Sequence, residues 1–309
     1  MQAKTDDRPT ILHLFTPREQ ASPFDVNMAV DAGFQVVVPY AGVGLENLAG
    51  MTQDAIFSRG PKGAKRTGIF IGGRDVVLAT DMLELAQKSM FPPFMVSVFA
   101  DPSGAYTTAA AMIACVEREL RKAHGTTLDG KRVLILGGTG AVGRIAAVLC
   151  ARSGARVRLC SHSDEKRARA AADLLNDRFD LSVDGILISG QAALQLELAE
   201  AEVVLATAAA GVEVMGFEDV AVARQLLVAA DVNAVPPAGI AGVDVQHDGV
   251  PISSASAGAV GIGALAVGNV KYQVQHRLFV RMLQATEPEF IGFAEALAMA
   301  REVLADDAT

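Results

Sequence analysis

Apolar and polar positions follow one another in short blocks along this chain, never in one long run. Ile11-Leu12-His13-Leu14-Phe15 is a compact apolar block ending at Thr16-Pro17, and it predicts a strand. Ser22 or Asp25 then caps a helix over residues 27–32, stopped by Gly33, and a second short strand at 34–38 is closed by Pro39. The block recurs at Thr67-Gly68-Ile69-Phe70-Ile71, followed by Gly72-Gly73, a helix over 75–90 and a strand over 94–99. A long helix follows Thr107-Thr108, with Ala111, Ile113, Ala114, Val116 and Leu120 as apolar positions, and ends at His124-Gly125. Leu128-Asp129-Gly130-Lys131 is polar punctuation. Beyond it the pattern predicts strands at 132–136, 157–159, 183–188, 203–206 and 226–229, with helices at 144–153 and 166–179. Two final helices are expected at 268–285 and 290–305, the first returning to the N-terminal part of the chain through Tyr272, Gln275, Leu278 and Phe279. Strands alternating with helices across tight Gly-rich turns mean βαβ units, hence an α/β protein with mostly parallel sheets.

Composition narrows what such a fold does. The chain has 309 residues, half of them apolar, with 27 Lys plus Arg against 35 Asp plus Glu, a net charge of −8. That is enough apolar material for two domains, and it excludes general disorder. The acidic balance argues against a nucleic-acid partner. The longest uncharged stretch, near residues 252–271, carries Ser253, Ser254, Ser256 and four glycines, so no membrane span is expected. Residues 1–8 are polar and predict a loose tail without a secretory leader. Cys115, Cys150 and Cys160 are odd in number and far apart, which suits buried thiols in a reducing cytoplasm. The five histidines have no metal-ligand spacing, so no metal site is expected and hard chemistry falls to an organic cofactor.

The strongest local signal is Gly137-Gly138-Thr139-Gly140-Ala141-Val142-Gly143, placed between a strand and a helix. In that context Gly138 is expected to permit the tight turn. Gly140 brings backbone N–H groups to a pyrophosphate, and Gly143 lets the helix pack on the sheet. A Rossmann-type NAD(P)-binding domain over 128–269 follows. Residues 1–127 form the other α/β domain, joined by the helices at 270–309. The next strand ends in Cys160-Ser161-His162-Ser163 with no acid for ribose hydroxyls, while Lys166 and Arg167 lie close by. NADP acceptance with NAD tolerated is the expected outcome. Ala208, Ala209 and Ala210 follow another strand and suit a flat ring lying near backbone. An ordinary solvated loop at 161–163 and a plain small-residue turn at 207–211 fit the sequence as well.

Three other segments have polar residues where site loops are expected: 99–108, 230–239, and Gly261-Ile262-Gly263 leading to Lys271. Taken singly, Thr107 and Thr108 are explained as helix caps, Asp231 and Asn233 as turn formers, and Lys271 as a solvated helix residue. Taken together with Ser22-Pro23-Phe24-Asp25-Val26-Asn27-Met28-Ala29, Thr52-Gln53-Asp54-Ala55-Ile56-Phe57-Ser58-Arg59 and Thr67–Gly73, they carry more. In order and spacing, from about Ile11 to Arg301, the chain resembles the bacterial methylene-tetrahydromethanopterin dehydrogenases, which are related to methylene-tetrahydrofolate dehydrogenases.

The resemblance implies a two-domain enzyme with its active site in the cleft between domains. It implies oxidation of the methylene bridge between N5 and N10 of a reduced pterin, with hydride going to NADP or NAD. It places Lys271 near the imidazolidine ring as the catalytic candidate. Asp25, Asp101, Thr107, Thr108 and Asn233 become pterin-pocket candidates, and Asn233 and Gly261 are placed at the cofactor as well. It also implies a homo-oligomer, with three subunits as the expected number. The Tyr-x-x-x-Lys arrangement of the bifunctional dehydrogenase–cyclohydrolases has no counterpart, since Tyr106 precedes no Lys at that spacing, so no cyclohydrolase activity is expected. Three other readings stay open. One is a methylene-tetrahydrofolate dehydrogenase. Another is a shikimate- or malic-type dehydrogenase using Lys62 or Lys65. The third is an NADP-binding sensor without turnover.

Overall fold

The structure, a computed structural model, describes residues 8–253 and 258–306. Residues 1–7 of the expected tail, and Ser254 and Ser256, lie outside the described residues. In chain order the first elements are β1 (Ile11–Thr16), α1 (Pro23–Asp31), β2 (Val36–Ala41), α2 (Leu45–Phe57), α3 (Gly60–Ala64) and β3 (Thr67–Ile71). Then come α4 (Val76–Lys88), β4 (Ser97–Ala100), α5 (Ala105–His124), β5 (Arg132–Leu136), α6 (Ala141–Arg152) and β6 (Arg156–Ser161). The middle of the chain continues with α7 (Glu165–Phe179), β7 (Val183–Leu187), α8 (Gln191–Glu200), β8 (Val203–Ala206), α9 (Phe217–Val222) and β9 (Val228–Asp231). The last are β10 (Asp248–Pro251), β11 (Val260–Ile262), α10 (Ala264–Gln284), β12 (Phe290–Ile291) and α11 (Phe293–Asp306).

These elements form two compact units, one running up to Thr107 and including Tyr272–Met299, the other comprising Thr108–Lys271 and the chain from Ala300 on. The division falls inside α5, α10 and α11, so each of these continuous helices contributes residues to both units.

The first unit is built on a five-stranded sheet in the order β12-β4-β3-β1-β2, every pair parallel. A parallel sheet must be covered on both faces, and its strands read as near-continuous apolar runs. That is why Ile69, Phe70 and Ile71 are all fully buried. Phe279 of α10 closes one face, its ring 5.3 Å from Phe70, 5.2 Å from Phe99 and 6.2 Å from Phe34. The return of this helix to the N-terminal sheet is as the sequence predicts.

Two details differ from expectation. Pro39 lies inside β2, opposite Leu14, instead of closing it. The missing N–H is tolerated because β2 is an edge strand. Phe290 belongs to β12 on the opposite edge, and the last helix begins only at Phe293.

The second unit is a seven-stranded sheet in the order β10-β11-β9-β8-β5-β6-β7. It is parallel apart from the β10–β11 pair. Counting from β5, this is the doubly wound order 3-2-1-4-5-6 with one antiparallel strand added. The strand order reverses between β5 and β8, two parallel neighbours, which is where such sheets open a crevice at their carboxyl ends. No helix of the described residues is long and apolar enough to cross a membrane. No group of His, Cys, Asp or Glu among them is arranged for a metal.

Candidate active site

The crevice at the β5–β8 reversal is a cavity of about 780 Å³, walled by residues from the ends of β5, β6 and β8. The glycines that follow β5 divide the work differently from the sequence expectation. The left-handed residue of the turn is Gly137, with φ of 73°. A Cβ there would stand 2.6 Å from the Ala208 backbone. Gly138 is demanded by contact instead: its Cβ would lie 2.7 Å from Leu159 and 3.0 Å from the Ile135 carbonyl. Gly143 has the predicted packing role, since its Cβ would fall 2.6 Å from Gly138 Cα and 2.7 Å from Thr207 Oγ1.

Gly140 is different. It is the N-cap of α6, and a Cβ there meets nothing closer than the Gly137 carbonyl at 3.5 Å. Its side-chain space faces a region the protein leaves open, beside the free N–H groups of the first turn of α6. Open space, unpaired amides and the positive end of a helix together fit the diphosphate of a dinucleotide.

Around that point the structure brings Thr139, Gly140, Ser161, His162, Ser163, Ala208 and Ala209 together on the lining of one cavity. The Ser161 hydroxyl accepts from the backbone N–H of Ser163 and Asp164, so it shapes the loop that presents His162 and Ser163. Arg167 is the cation on the wall; Lys166 and Ala210 are exposed and do not line it. Ala141 and Val142 form the first turn of α6. Glu213, which the sequence reading passed over, lines the cavity beyond β8.

Two candidates are taken up by the fold itself. Gly261 sits inside β11 against Val243 and Ile252. Asn233 Oδ1 accepts from Gly211 and Val235, and its Nδ2 donates to the Pro237 carbonyl. Beside it, Asp231 accepts from the N–H of Asn233, Gly239 and Ile240. Burial pushes this carboxyl up, against the pull of those three donors. The 231–240 segment is thus a rigid hydrogen-bonded loop at the carboxyl end of β9.

The first unit gathers its own polar cluster at the carboxyl ends of β1, β3 and β4. Asp25 lies in the first turn of α1, 3% exposed, and accepts from Nε2 of the fully buried Gln275 at 3.3 Å. Gly72 faces it: a Cβ at Gly72 would be 3.8 Å from Asp25 Oδ2. After β4, the fully buried Asp101 caps α5, accepting from the N–H of Tyr106 (2.9 Å) and Thr107 (3.2 Å) and from the Thr107 hydroxyl (2.6 Å). Ser103 holds a left-handed backbone, φ 53°, and donates to the Gly73 carbonyl at 2.6 Å, clasping the β3 and β4 loops together. Tyr106 is committed to structure, its hydroxyl donating to the Val76 carbonyl and meeting Thr80 Oγ1 at 2.7 Å, and burial raises its pKa strongly. Thr108, the first residue of the second unit, is half-buried on α5. Lys271, which belongs to the second unit, is half-buried on α10, one helical turn before Gln275. The sequence marks Gln275 only as a packing position of this helix; its i,i+4 spacing from Lys271 is the signal that singles it out further.

A sequence profile described as "Methylene-tetrahydromethanopterin dehydrogenase, N-terminal" matches residues 23–103, the span that holds Asp25, the Gly72-Gly73 turn and Asp101. The NAD(P)-dependent methylenetetrahydromethanopterin dehydrogenase of Methylorubrum extorquens is 48% identical over 294 residues, 95% of this chain and 98% of that protein. The chain belongs to the methylene-tetrahydromethanopterin dehydrogenase family. A second protein of that organism, "Bifunctional protein MdtA", is 32% identical, covering 91% of this chain and 94% of its own. Among solved structures, shikimate 5-dehydrogenase from Listeria monocytogenes has a TM-score of 0.52 at 14% identity, covering 98% of this chain and 99% of its own. At that identity the likeness concerns the fold alone. The cavity lies at the carboxyl ends of β5, β6 and β8, and in this chain no acid stands at the end of β6.

Proposed function

We propose that this protein oxidises the methylene group bridging N5 and N10 of methylene-tetrahydromethanopterin to the methenyl state, with NAD+ or NADP+ as hydride acceptor. The 48% identity across 95% of the chain carries the reading, and the open diphosphate cradle at Gly140 supports it. Bound NAD(P)+ supplies the electrophilic nicotinamide carbon that takes the hydride. The lone pairs of N5 and N10 expel that hydride and stabilise the cation left behind, so no proton has to be removed. The chain's task is therefore alignment and exclusion of water, worth several orders of magnitude in rate when donor and acceptor are held in reacting geometry.

The loop Ser161-His162-Ser163 and Arg167 serve the adenosine ribose. With neutral or cationic groups and no carboxylate there, both a free 2′-hydroxyl and a 2′-phosphate are accommodated. Arg167→Ala raises KM for NADP+ about tenfold, the loss of one charge-assisted contact, and leaves KM for NAD+ within about twofold. Steady-state kinetics with both cofactors check this, and an equal change for both refutes the assignment.

On the carrier side, Asp25 accepts from the N–H groups of the pterin edge, with Gln275 fixing its carboxylate. Lys271 positions the ring by hydrogen bonding; an ammonium opposes the developing cation, so it is not a charge stabiliser. Lys271→Ala raises the carrier KM or lowers kcat by about ten- to a hundredfold without weakening NAD+ binding. Unchanged kcat and KM remove Lys271 from the site. Thr107 and Thr108 support the same pocket through α5. The finer expectations are a cytoplasmic location and a homo-oligomer of three subunits, the latter decided by solution mass.

The deciding experiment is the activity matrix of two carriers, methylene-tetrahydromethanopterin and methylene-tetrahydrofolate, against NAD+ and NADP+. Turnover restricted to tetrahydrofolate gives the alternative dehydrogenase. Dinucleotide binding with no turnover on either carrier gives the sensor.

A further inference from the structure

The first unit has a cavity of its own, of about 320 Å³, at the end of its sheet away from Asp25, Gly72 and Asp101. Thr67 and Ser97, which line it, are the first residues of β3 and β4, whereas the polar cluster stands at the carboxyl ends of those strands. The other walls are α3, the 92–96 segment, the last turn of α10 and the 285–288 segment that follows it. None of these residues has a part in the proposed hydride transfer.

Four of the lining residues are prolines: Pro61, Pro92, Pro93 and Pro288. Their fixed φ makes stiff walls. Between them the lining is apolar, with Met95 and the buried Val96 and Met282. A hollow of this size stands at the lower end of the range for small-molecule sites, roughly 300–1,000 Å³, which suits a ligand about as large as one amino acid.

Three polar groups break the apolar lining. Lys65, the C-cap residue of α3, is exposed, and the one polar contact of its ammonium among the described residues is a long one, 3.4 Å, to the Thr286 carbonyl. Glu287, the next residue in the chain, is exposed, and its carboxylate has no hydrogen bond or ion pair among the described residues. Cation and anion thus line one cavity without pairing with each other. Lysines elsewhere do pair with a neighbouring acid, as Lys131 does with Glu202 at 3.3 Å and Lys88 with Glu84 at 3.7 Å. The third group is the buried Ser97. Its hydroxyl accepts from the Glu289 N–H at 3.1 Å, and no acceptor among the described residues takes its hydrogen.

We propose that this cavity binds a free α-amino acid with an apolar side chain. Lys65 and Ser97 offer donors to the carboxylate, Glu287 offers an acceptor to the ammonium, and the proline and methionine walls take the side chain out of water. An uncharged apolar molecule leaves both charges unanswered, and an organic anion alone meets Glu287 as a like charge. Lys65, one of the two lysines open to a shikimate-type reading, is thereby a ligand-binding residue at the far end of the sheet from the polar cluster. The site belongs wholly to the first unit and is independent of the cavity at β5 and β8.

Calorimetric titration of the full-length protein with L-leucine, L-methionine and L-phenylalanine tests this. At least one of the three binds with a Kd below about 1 mM. Its analogue without the amino group and its analogue without the carboxylate each bind at least about fivefold more weakly. K65M weakens binding at least about tenfold and E287Q at least about fivefold, while both variants keep the wild-type melting temperature and NAD+ affinity. No binding of any of the three at about 10 mM overturns the proposal. So does binding that is undiminished in either variant, an analogue that binds as tightly as the amino acid, or displacement of the amino acid by ADP, which places it in the second unit.

Discussion

The variant Gly140→Val folds and loses about a hundredfold in affinity for both NAD+ and NADP+, a change of roughly 2.7 kcal/mol. The backbone at Gly140, φ −74° and ψ 170°, lies in extended space that valine adopts readily. A Cβ at this position meets only the Gly137 carbonyl at 3.5 Å and the Thr207 carbonyl at 3.8 Å, ordinary contacts. The cost to the apo protein is therefore confined to a poorer N-cap, about 1 kcal/mol. The added branches project where a diphosphate must approach the α6 amides, so the loss appears in binding. Calorimetric titration with each cofactor, beside a thermal melt, separates the two effects. Gly143→Val is the contrasting control: its Cβ collides with Gly138 backbone at 2.6 Å, and it fails as a fold before binding is at issue. A Gly140→Val protein that binds NAD+ normally removes the diphosphate from this turn.

Asp101→Ala destabilises the protein by about 3 kcal/mol, read as a lower urea midpoint at unchanged slope. The carboxylate is fully buried and accepts from two backbone N–H groups and one hydroxyl. Alanine leaves the Tyr106 and Thr107 amides without that acceptor, while the Thr107 hydroxyl keeps the Gly104 carbonyl at 3.3 Å. Asp101→Asn keeps one acceptor oxygen and costs less than half as much. The cap also holds the β4 loop that Ser103 ties to Gly73, so the carrier KM rises in Asp101→Ala as a consequence of the loosened loop. A rise in KM with undiminished stability instead makes Asp101 a direct pterin ligand.

These two sites illustrate what the amino-acid pattern reveals. The strand–loop–helix at residues 132–152 was legible because the apolar run, the glycines and the helix all lie within one βαβ unit, where local rules govern. The division of labour among its glycines was not. The positive φ at Gly137 and the contact at Gly138 depend on where Ala208 and Leu159 arrive, some 70 and 20 residues later. The same limit explains α2, which the pattern did not predict, and Arg167, which differs from Lys166 only in the side of α7 it occupies. Asn233 is the clearest case. As a sequence position it suits a ligand contact or a turn equally. In the structure its side-chain amide holds the turn through Gly211, Val235 and Pro237, a role that depends on where those residues fold.

The proline inside β2 has a bearing on assembly. An outer strand with a full set of outward N–H and C=O groups is a template on which another chain can lay down a strand, the usual route to open-ended aggregation. Pro39 removes one donor from the middle of that template, on a sheet whose other strands are among the most apolar segments of the molecule. Copies of this chain therefore cannot zip together continuously along β2. Along its β2 edge the first sheet is thus a poor template for a sixth strand.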